Sequence, residues 1–527
     1  MKIRMMLVMG LSTALIGCMA QEAGRPSALP KVSSAAAVLV SPMSAPVPVS
    51  VSQESYQELP ENRVKSASTS PVSTFSIDVD TGSYALVRRD LSLGVLPSKH
   101  AVRAEEMINY FSYAYEAPSA DPFAVRYELS ETPWNKDTVL LKIGIKGEEV
   151  AQAALPDKNL VFLLDVSGSM SSANKLPLLV SALKMLSKQL TAKDRVAIVV
   201  YAGDTGVVLE STPGNEVATI HRALSELSAS GSTNGAAGIQ LAYQIAQQNY
   251  IKAGINRILL ATDGDLNVGE TNIGTLKELV AKKRQQGISL TTLGFGQGNY
   301  NDHLMEQIAD VGNGNYAYID TLKEARKVLV EQMSGTFHTI AQDVKIQVEF
   351  NPDQVSEYRL IGYENRVLNR EDFNNDKVDA GDIGAGHTVT ALYELALKGS
   401  KGLAMDPLRY SNEASNRRPE SHSDELLFVK MRYKQPGDSQ SLLKSWAISK
   451  TDIVSAEKAS KDFNFSAAVA AFAQKLSHSQ YIQSYDYQDI VHLAKDNLGV
   501  DQYGFKAEFV QLIELADGLA EPKVVGL

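Results

Sequence analysis

The feature that most constrains this chain is a pair of apolar runs that each lead into an aspartate. Leu160-Val161-Phe162-Leu163-Leu164 leads directly into Asp165-Val166-Ser167-Gly168-Ser169, and Arg257-Ile258-Leu259-Leu260 leads into Ala261-Thr262-Asp263-Gly264-Asp265. Runs that are almost wholly apolar suit strands buried on both faces, as in a parallel sheet coated by helices. The polar residues that follow are therefore delivered at strand ends. Asp165, Ser167 and Ser169 supply a carboxylate and two hydroxyls, Thr233 in Gly231-Ser232-Thr233-Asn234-Gly235 adds a third hydroxyl, and Asp263 a second carboxylate. An all-oxygen set without sulfur or imidazole suits one hard cation, Mg²⁺ or Mn²⁺. A DxSGS string alone is equally a turn or a helix cap; the Thr and the second Asp, each placed relative to its own strand or helix, make the combination specific.

This D-x-S-x-S, T, D arrangement resembles the metal-ion-dependent adhesion site of von Willebrand factor type A domains, over roughly residues 157 to 338. The resemblance implies that the hydroxyls of Ser167, Ser169 and Thr233 touch the ion while Asp165 and Asp263 act largely through water. A mainly neutral inner shell leaves the ion electron-poor. The missing anion is then an Asp or Glu carboxylate of a partner protein or polymer.

The surrounding pattern predicts an α/β doubly wound, mostly parallel sheet. Strands are expected near 159–164, 195–201, 206–210, 256–262, 288–295 and 315–319, and helices near 174–190, 215–228, 235–250, 271–286, 302–310 and 321–338. In the usual order 3-2-1-4-5-6 the first and fourth strands are neighbours where the winding reverses, and their carboxyl ends form the ligand crevice. Asp165 and Asp263 fall at those two ends. Asp265, Asp302 and His303 are candidates for the rim, with a helix cap as the competing reading of Asp302.

The chain starts with basic Met1-Lys2-Ile3-Arg4, an apolar stretch from Met5 to Ile16, and Gly17-Cys18. This resembles a bacterial lipoprotein signal (residues 1–17) in which Cys18 is lipidated; the apolar stretch is shorter than the ~20 residues of a membrane span. Cys18 is the single cysteine of 527 residues, so the exported part is expected to hold together without disulfides. Met19 after the cysteine favours the outer membrane. Residues 18–70 are rich in Ser, Ala, Pro, Val and Gln and read as a disordered tether, reaching roughly 40 Å as a coil of about 50 residues, with a short strand or docking motif as the alternative.

Residues 71–122 read as an N-terminal α/β module. Its Phe75-Ser76-Ile77-Asp78-Val79-Asp80-Thr81-Gly82-Ser83-Tyr84 is expected to start a helix with Asp80, Thr81 and Ser83 satisfying free amides. With Arg103-Ala104-Glu105-Glu106-Met107-Ile108-Asn109-Tyr110-Phe111, it resembles the amino-terminal module of a family of exported bacterial lipoproteins carrying a von Willebrand factor type A domain. Residues 123–156 and 339–433 alternate apolar and polar and are expected to pair into one β-sandwich around the inserted domain (157–338), followed by a helical region at 434–527. Asp376, Asp379 and Asp382 form a hairpin turn or a weak Ca²⁺ loop.

Other chemistries find no motif. No Gly-Lys pair forms a phosphate loop, so no nucleotide is expected, and none of the eight His precedes a Glu, which removes HExxH. With 51 basic and 61 acidic side chains the net charge is −10, which opposes nucleic acid. The sequence thus points to a lipid-anchored envelope protein, not an enzyme, that binds a protein or polymer through a divalent ion. Two other readings stay open: a metal-dependent hydrolase with Asp265 or His303 as base, and a scaffold subunit whose metal is structural.

Overall fold

The computed structural model describes residues 54–119, 121–231, 235–264, 273–406, 424–482 and 484–520. The leader, Cys18, the first part of the tether, Thr233 and Asp265 lie outside the described residues. Among the described residues no helix is long and apolar enough to cross a membrane.

The described chain opens with β1 (Lys65–Ser66), β2 (Val72–Ser76), α1 (Gly82–Ser92) and α2 (Ala104–Asn109), then β3 (Phe123–Thr132) and β4 (Asn135–Gly147). The α/β domain begins with β5 (Lys158–Asp165), α3 (Leu176–Ser187), β6 (Arg195–Tyr201), β7 (Thr205–Pro213), α4 (Val217–Ser225) and α5 (Gly235–Gln248). It continues with β8 (Ile255–Thr262), α6 (Ile273–Arg284), β9 (Ser289–Phe295), α7 (Asp302–Val311), β10 (Tyr316–Ile319), α8 (Leu322–Arg326) and α9 (Met333–Phe337). There follow β11 (Thr339–Phe350), β12 (Val355–Ile361), β13 (Gly381–Gly384), β14 (Thr388–Leu397), β15 (Glu425–Lys434) and β16 (Leu442–Ser449). The helices α10 (Lys461–Leu476), α11 (Tyr487–Asp496) and α12 (Phe505–Leu519) come after them.

The α/β domain is doubly wound in the order β7-β6-β5-β8-β9-β10, which is the 3-2-1-4-5-6 order expected from the sequence. Alternate residues of β5 explain why both its faces are apolar. Leu160, Phe162 and Leu164 pack with Leu179, Leu183 and Leu186 of α3, while Val161 and Leu163 pack with Ile239 and Tyr243 of α5 on the other side. Strands β5, β6, β8, β9 and β10 are parallel, whereas β7 runs antiparallel to β6 with Tyr201 paired to Thr205. So short a link leaves no room for a crossover helix, so the chain turns back as a hairpin.

The flanks do form a sandwich. One sheet runs β1-β12-β14-β4-β3 and the other β13-β11-β15-β16 with β2 also on β11. Leu141, Ile143 and Val389 of the first sheet share a core with Ile346, Val348 and Val429 of the second. Two boundaries differ from the sequence reading. Strand β2 pairs Thr74 with Gln347, and β16 pairs Trp446 with Val429, so residues from both the N-terminal and the C-terminal regions complete the sandwich. Likewise α1, α2 and α10–α12 are one unit, with Tyr84, Phe111, Phe465 and Phe509 in a single aromatic core. Short amphipathic pieces such as these bury their apolar faces only against each other.

Residues 54–70, assigned by composition to the tether, lie against the folded body. Lys65 pairs with Tyr358 at the edge of the first sheet, Ser55 N donates to Tyr300 O at 2.9 Å, and Glu54 meets Arg89 at 2.8 Å. Backbone pairing to a sheet edge leaves little trace in composition.

Buried ion pairs join the α/β domain to its frame. Arg88 pairs with Asp320 and Glu324, Arg103 with Asp302 and Glu106, and Arg366 with Asp78, Asp310 and Glu306. Asp80 does not cap α1, as the sequence suggested; its Oδ1 accepts from Tyr316 N of β10 at 2.8 Å. Gly82 is required there, since a Cβ would stand 2.3 Å from the Tyr316 ring.

Two predictions follow from this burial. Arg103→Met, which strands the buried Asp302 and Glu106, should cost about 3–5 kcal/mol in urea denaturation. Burial, reinforced by the carboxylates of Glu364 and Asp78, pushes the Glu105 carboxyl well above the ordinary range. A carboxyl raised on folding holds its proton more tightly in the folded chain, so its contribution is intact at low pH and lost as pH rises above ~4.3 through the folded value. Glu105→Gln should therefore match the native chain near pH ~5 and exceed it in melting temperature at about pH 8.

Candidate metal centre

The two strand ends meet as the topology requires, because β5 and β8 are adjacent and parallel. Asp165 is fully buried and both of its oxygens are held. Its Oδ1 accepts from Ser167 N at 2.9 Å, and its Oδ2 accepts from Thr262 Oγ1 at 2.9 Å. The first bond is a local Asx turn that aims the Ser167 side chain outward from the strand; the second ties the two strand ends together. Burial raises the Asp165 carboxyl, against the bonds from Ser167 and Thr262 that favour its charged form.

The hydroxyls of Ser167 and Ser169 lie 3.0 Å apart, close enough to face one ion. Gly168 N donates to Gly231 O at 3.1 Å and Ser230 N to Val166 O at 2.7 Å, so the DxSGS loop is pinned to the segment that leads towards Thr233. Asp263 is also fully buried, one residue beyond β8. Gly264 follows it at φ +88, where a Cβ would stand 2.5 Å from Asn301 N, so only glycine fits.

One residue of the site has no counterpart in the sequence reading. Lys175, just before α3, places its Nζ 2.8 Å from Asp263 Oδ2 and is itself buried. Its stem lies on Gly296, where a Cβ would collide with Lys175 Cε at 2.2 Å. A lysine ten positions after Asp165 has no periodic or motif signal, and only the close approach at Gly296 hints at it.

The donor set fits a hard divalent ion: two carboxylates and two hydroxyls converge, with Ser169 open to solvent. Asp165 and Asp263 contribute two negative charges and Lys175 one positive charge. A bound divalent ion therefore leaves a net single positive charge, which favours an anionic ligand from outside.

The rim candidates fare differently. Asp302 is withdrawn from the crevice: it is fully buried, pairs with Arg103 at 2.5 Å and accepts from the Tyr316 hydroxyl at 2.5 Å. The cap of α7 is Asn301, whose side chain accepts from Leu304 N at 3.1 Å. His303 contacts Gln307, and burial together with Lys277 lowers its basicity. Among the described residues neither touches Asp165, Ser167, Ser169 or Asp263.

Two further acidic groups are accounted for by arginine. The carboxylates of Asp78, Asp80 and Glu306 gather within 4.8 Å, with Arg366 at 3.0 Å from Asp78 and 3.2 Å from Glu306. In the turn after β12, Asp376 goes to Arg432 and Asp379 to Arg284, while Asp382 Oδ1 accepts from Asp343 N at 3.2 Å.

Three family models match the chain. One described as the von Willebrand factor type A domain covers residues 159–332, one described as von Willebrand factor covers 50–142, and one described as the C-terminal part of the uncharacterized protein YfbK covers 335–519. The uncharacterized protein YfbK of Escherichia coli (strain K12) is 48% identical over 474 residues, spanning 88% of this chain and 81% of its own. Inter-alpha-trypsin inhibitor heavy chain H3 of Mesocricetus auratus is 27% identical over 301 residues, spanning 52% of this chain and 33% of its own. The solved structure of von Willebrand factor type A from Catenulispora acidiphila aligns with 73% of this chain and 88% of its own at 15% identity and a TM-score of 0.41. Von Willebrand factor type A domains commonly bind a divalent metal and mediate protein interactions. The chain belongs to the family of the uncharacterized protein YfbK, with a von Willebrand factor type A domain set into a β-sandwich.

Proposed function

We propose that this chain is a metal-dependent binding protein of the bacterial envelope, anchored by a lipid on Cys18 in the outer membrane. Its Mg²⁺ or Mn²⁺, held by Asp165, Ser167, Ser169, Thr233 and Asp263, takes an Asp or Glu carboxylate of a partner protein or envelope polymer. The observation that carries this reading is the convergence of the Ser167 and Ser169 hydroxyls beside two buried carboxylates at neighbouring strand ends. The Lys175–Asp263 pair adds to it, because partial neutralisation makes the loaded ion a better acceptor of an external anion.

The ion itself supplies Lewis acidity and a sixfold oxygen preference. The chain's residues do the rest: Thr262 and the Ser167 amide hold Asp165 in place, and Lys175 sets the charge at Asp263. A hydrolase would need a base beside the ion. Of the two candidate bases, His303 has its hydrogen bond to Gln307 on its own helix and does not support that reading, and Asp265 lies outside the described residues.

The test is a calorimetric titration of Mg²⁺ and Mn²⁺ into the full chain. Asp165→Ala and Thr233→Ala should each abolish binding, while Lys175→Met should tighten it about tenfold, or ~1.4 kcal/mol, by releasing Asp263. Capture of a glutamate-bearing partner should need the metal and should weaken in Lys175→Met. Metal binding undiminished in Asp165→Ala would overturn the site. For the anchor, Cys18→Ser should stop incorporation of labelled palmitate and release the protein from the membrane fraction.

A further inference from the structure

A second binding place lies away from the strand ends. A cleft of about 1120 Å³ opens where the segment after α2, the β3–β4 hairpin, the chain leaving the α/β domain and the segment before α12 come together. That is just above the ~300–1,000 Å³ usual for small-ligand sites.

Two lysines on its wall are buried, Lys142 of β4 at 3% exposure and Lys327 after α8 at 4%. Three other basic groups around the cleft are paired directly with carboxylates: Lys146 meets Glu149 at 3.0 Å, Lys506 meets Asp462 at 3.3 Å, and Arg126 pairs with Glu116. Lys142 and Lys327 are not. Lys142 Nζ donates to the Asp462 carbonyl at 2.8 Å and faces the Tyr113 ring at 4.2 Å. Lys327 Nζ donates to the Tyr110 carbonyl at 2.9 Å and sits on the Tyr110 ring. Among the described residues neither has a carboxylate within ion-pair distance. The nearest carboxylates, Asp462 and Glu128 for Lys142 and Glu324 for Lys327, act from beyond that distance, and burial outweighs them, drawing Lys142 down to about 8 and Lys327 to about 7. An anion entering the cleft would supply the direct ion pair that both lack.

The rest of the lining indicates the body of such a ligand. Tyr127 and Tyr503 are 39% and 44% exposed, and Tyr115 is half-buried, so ring faces are open. Gln332 and Thr388 add hydrogen-bonding groups, and the aliphatic side chains are confined to a few valines and alanines. An acyl chain would want a wall of large aliphatics. A sugar ring offers an apolar face to stack on tyrosine and hydroxyls for the amides.

We propose that this cleft binds a short acidic oligosaccharide, with Lys142 and Lys327 taking its carboxylates and the tyrosines its ring faces. The assignment is independent of the metal centre.

The test is calorimetric titration of the full chain with trigalacturonate, its methyl-esterified neutral form, triglutamate peptide and inorganic phosphate. Trigalacturonate should bind saturably and the neutral form should not. Lys142→Met and Lys327→Met should each weaken binding about tenfold, with thermal melting confirming that each variant folds. Tyr503→Ala, at an exposed position, should weaken it several-fold and decides the matter if a lysine variant does not fold. Asp165→Ala should leave it unchanged. No saturable binding, equal binding of the esterified form, preference for the peptide or for phosphate, or indifference to these substitutions would each overturn the proposal.

Discussion

The arrangement of this molecule depends on three buried arginines. A domain inserted in a sandwich is attached covalently only where the chain enters and leaves, after β4 and before β11. Arg88 and Arg103 come from the N-terminal helical part and Arg366 from the sandwich, and each reaches carboxylates on α7 or just after β10. Burying such pairs carries a desolvation cost close to their Coulombic gain, so their contribution is chiefly to orientation. The planar guanidinium fork, which binds carboxylate oxygens in a fixed geometry, suits that role. Because β10 is the sheet edge, the clamp grips the domain on one side.

That division explains where charge sits. At the clamp, carboxylates outnumber arginines and, Asp310 apart, are shut away from solvent and shared among them. At the crevice, among the described residues, Asp165 is held by the Ser167 amide and the Thr262 hydroxyl, and Asp263 meets a lysine. A carboxylate held by hydroxyl and amide donors keeps its charge available to a cation, whereas one paired to guanidinium does not. The Asp78, Asp80 and Glu306 group and the Asp165, Asp263 pair are both buried and acidic, and the nature of their donors separates them.

The sequence made the α/β domain legible because its signals are local. An apolar run ending in aspartate names a strand and its end together, and the hydroxyl spacing within Asp165–Ser169 needs no partner to be recognised. Alternation likewise identified the sandwich strands. What stayed hidden depends on distant pairings: Arg103 meets Asp302 across 199 positions, and β1 pairs with a strand nearly three hundred positions on. Asp302 looked like a rim residue because it precedes a helix beside the crevice, and nothing nearby in the chain shows that Arg103 claims it. Lys175 was missed for the same reason, since its role arises only where the Asp263 loop and Gly296 converge.

The two proposed binding places share a chemical preference and differ in how they meet it. With a net charge of −10 the protein repels polyanions at long range, so an acidic partner gains nothing from diffuse attraction. Recognition must then come from short contacts in desolvated surroundings, where one cation is worth far more than at the surface. The crevice provides this through an ion bound beside a part-neutralised pair of carboxylates, and the cleft through two buried ammonium groups whose direct partners are carbonyls and ring faces. Concentrating positive charge at such points on an acidic body selects against loosely bound anions, because only a ligand shaped to reach the buried group recovers the cost of approaching it.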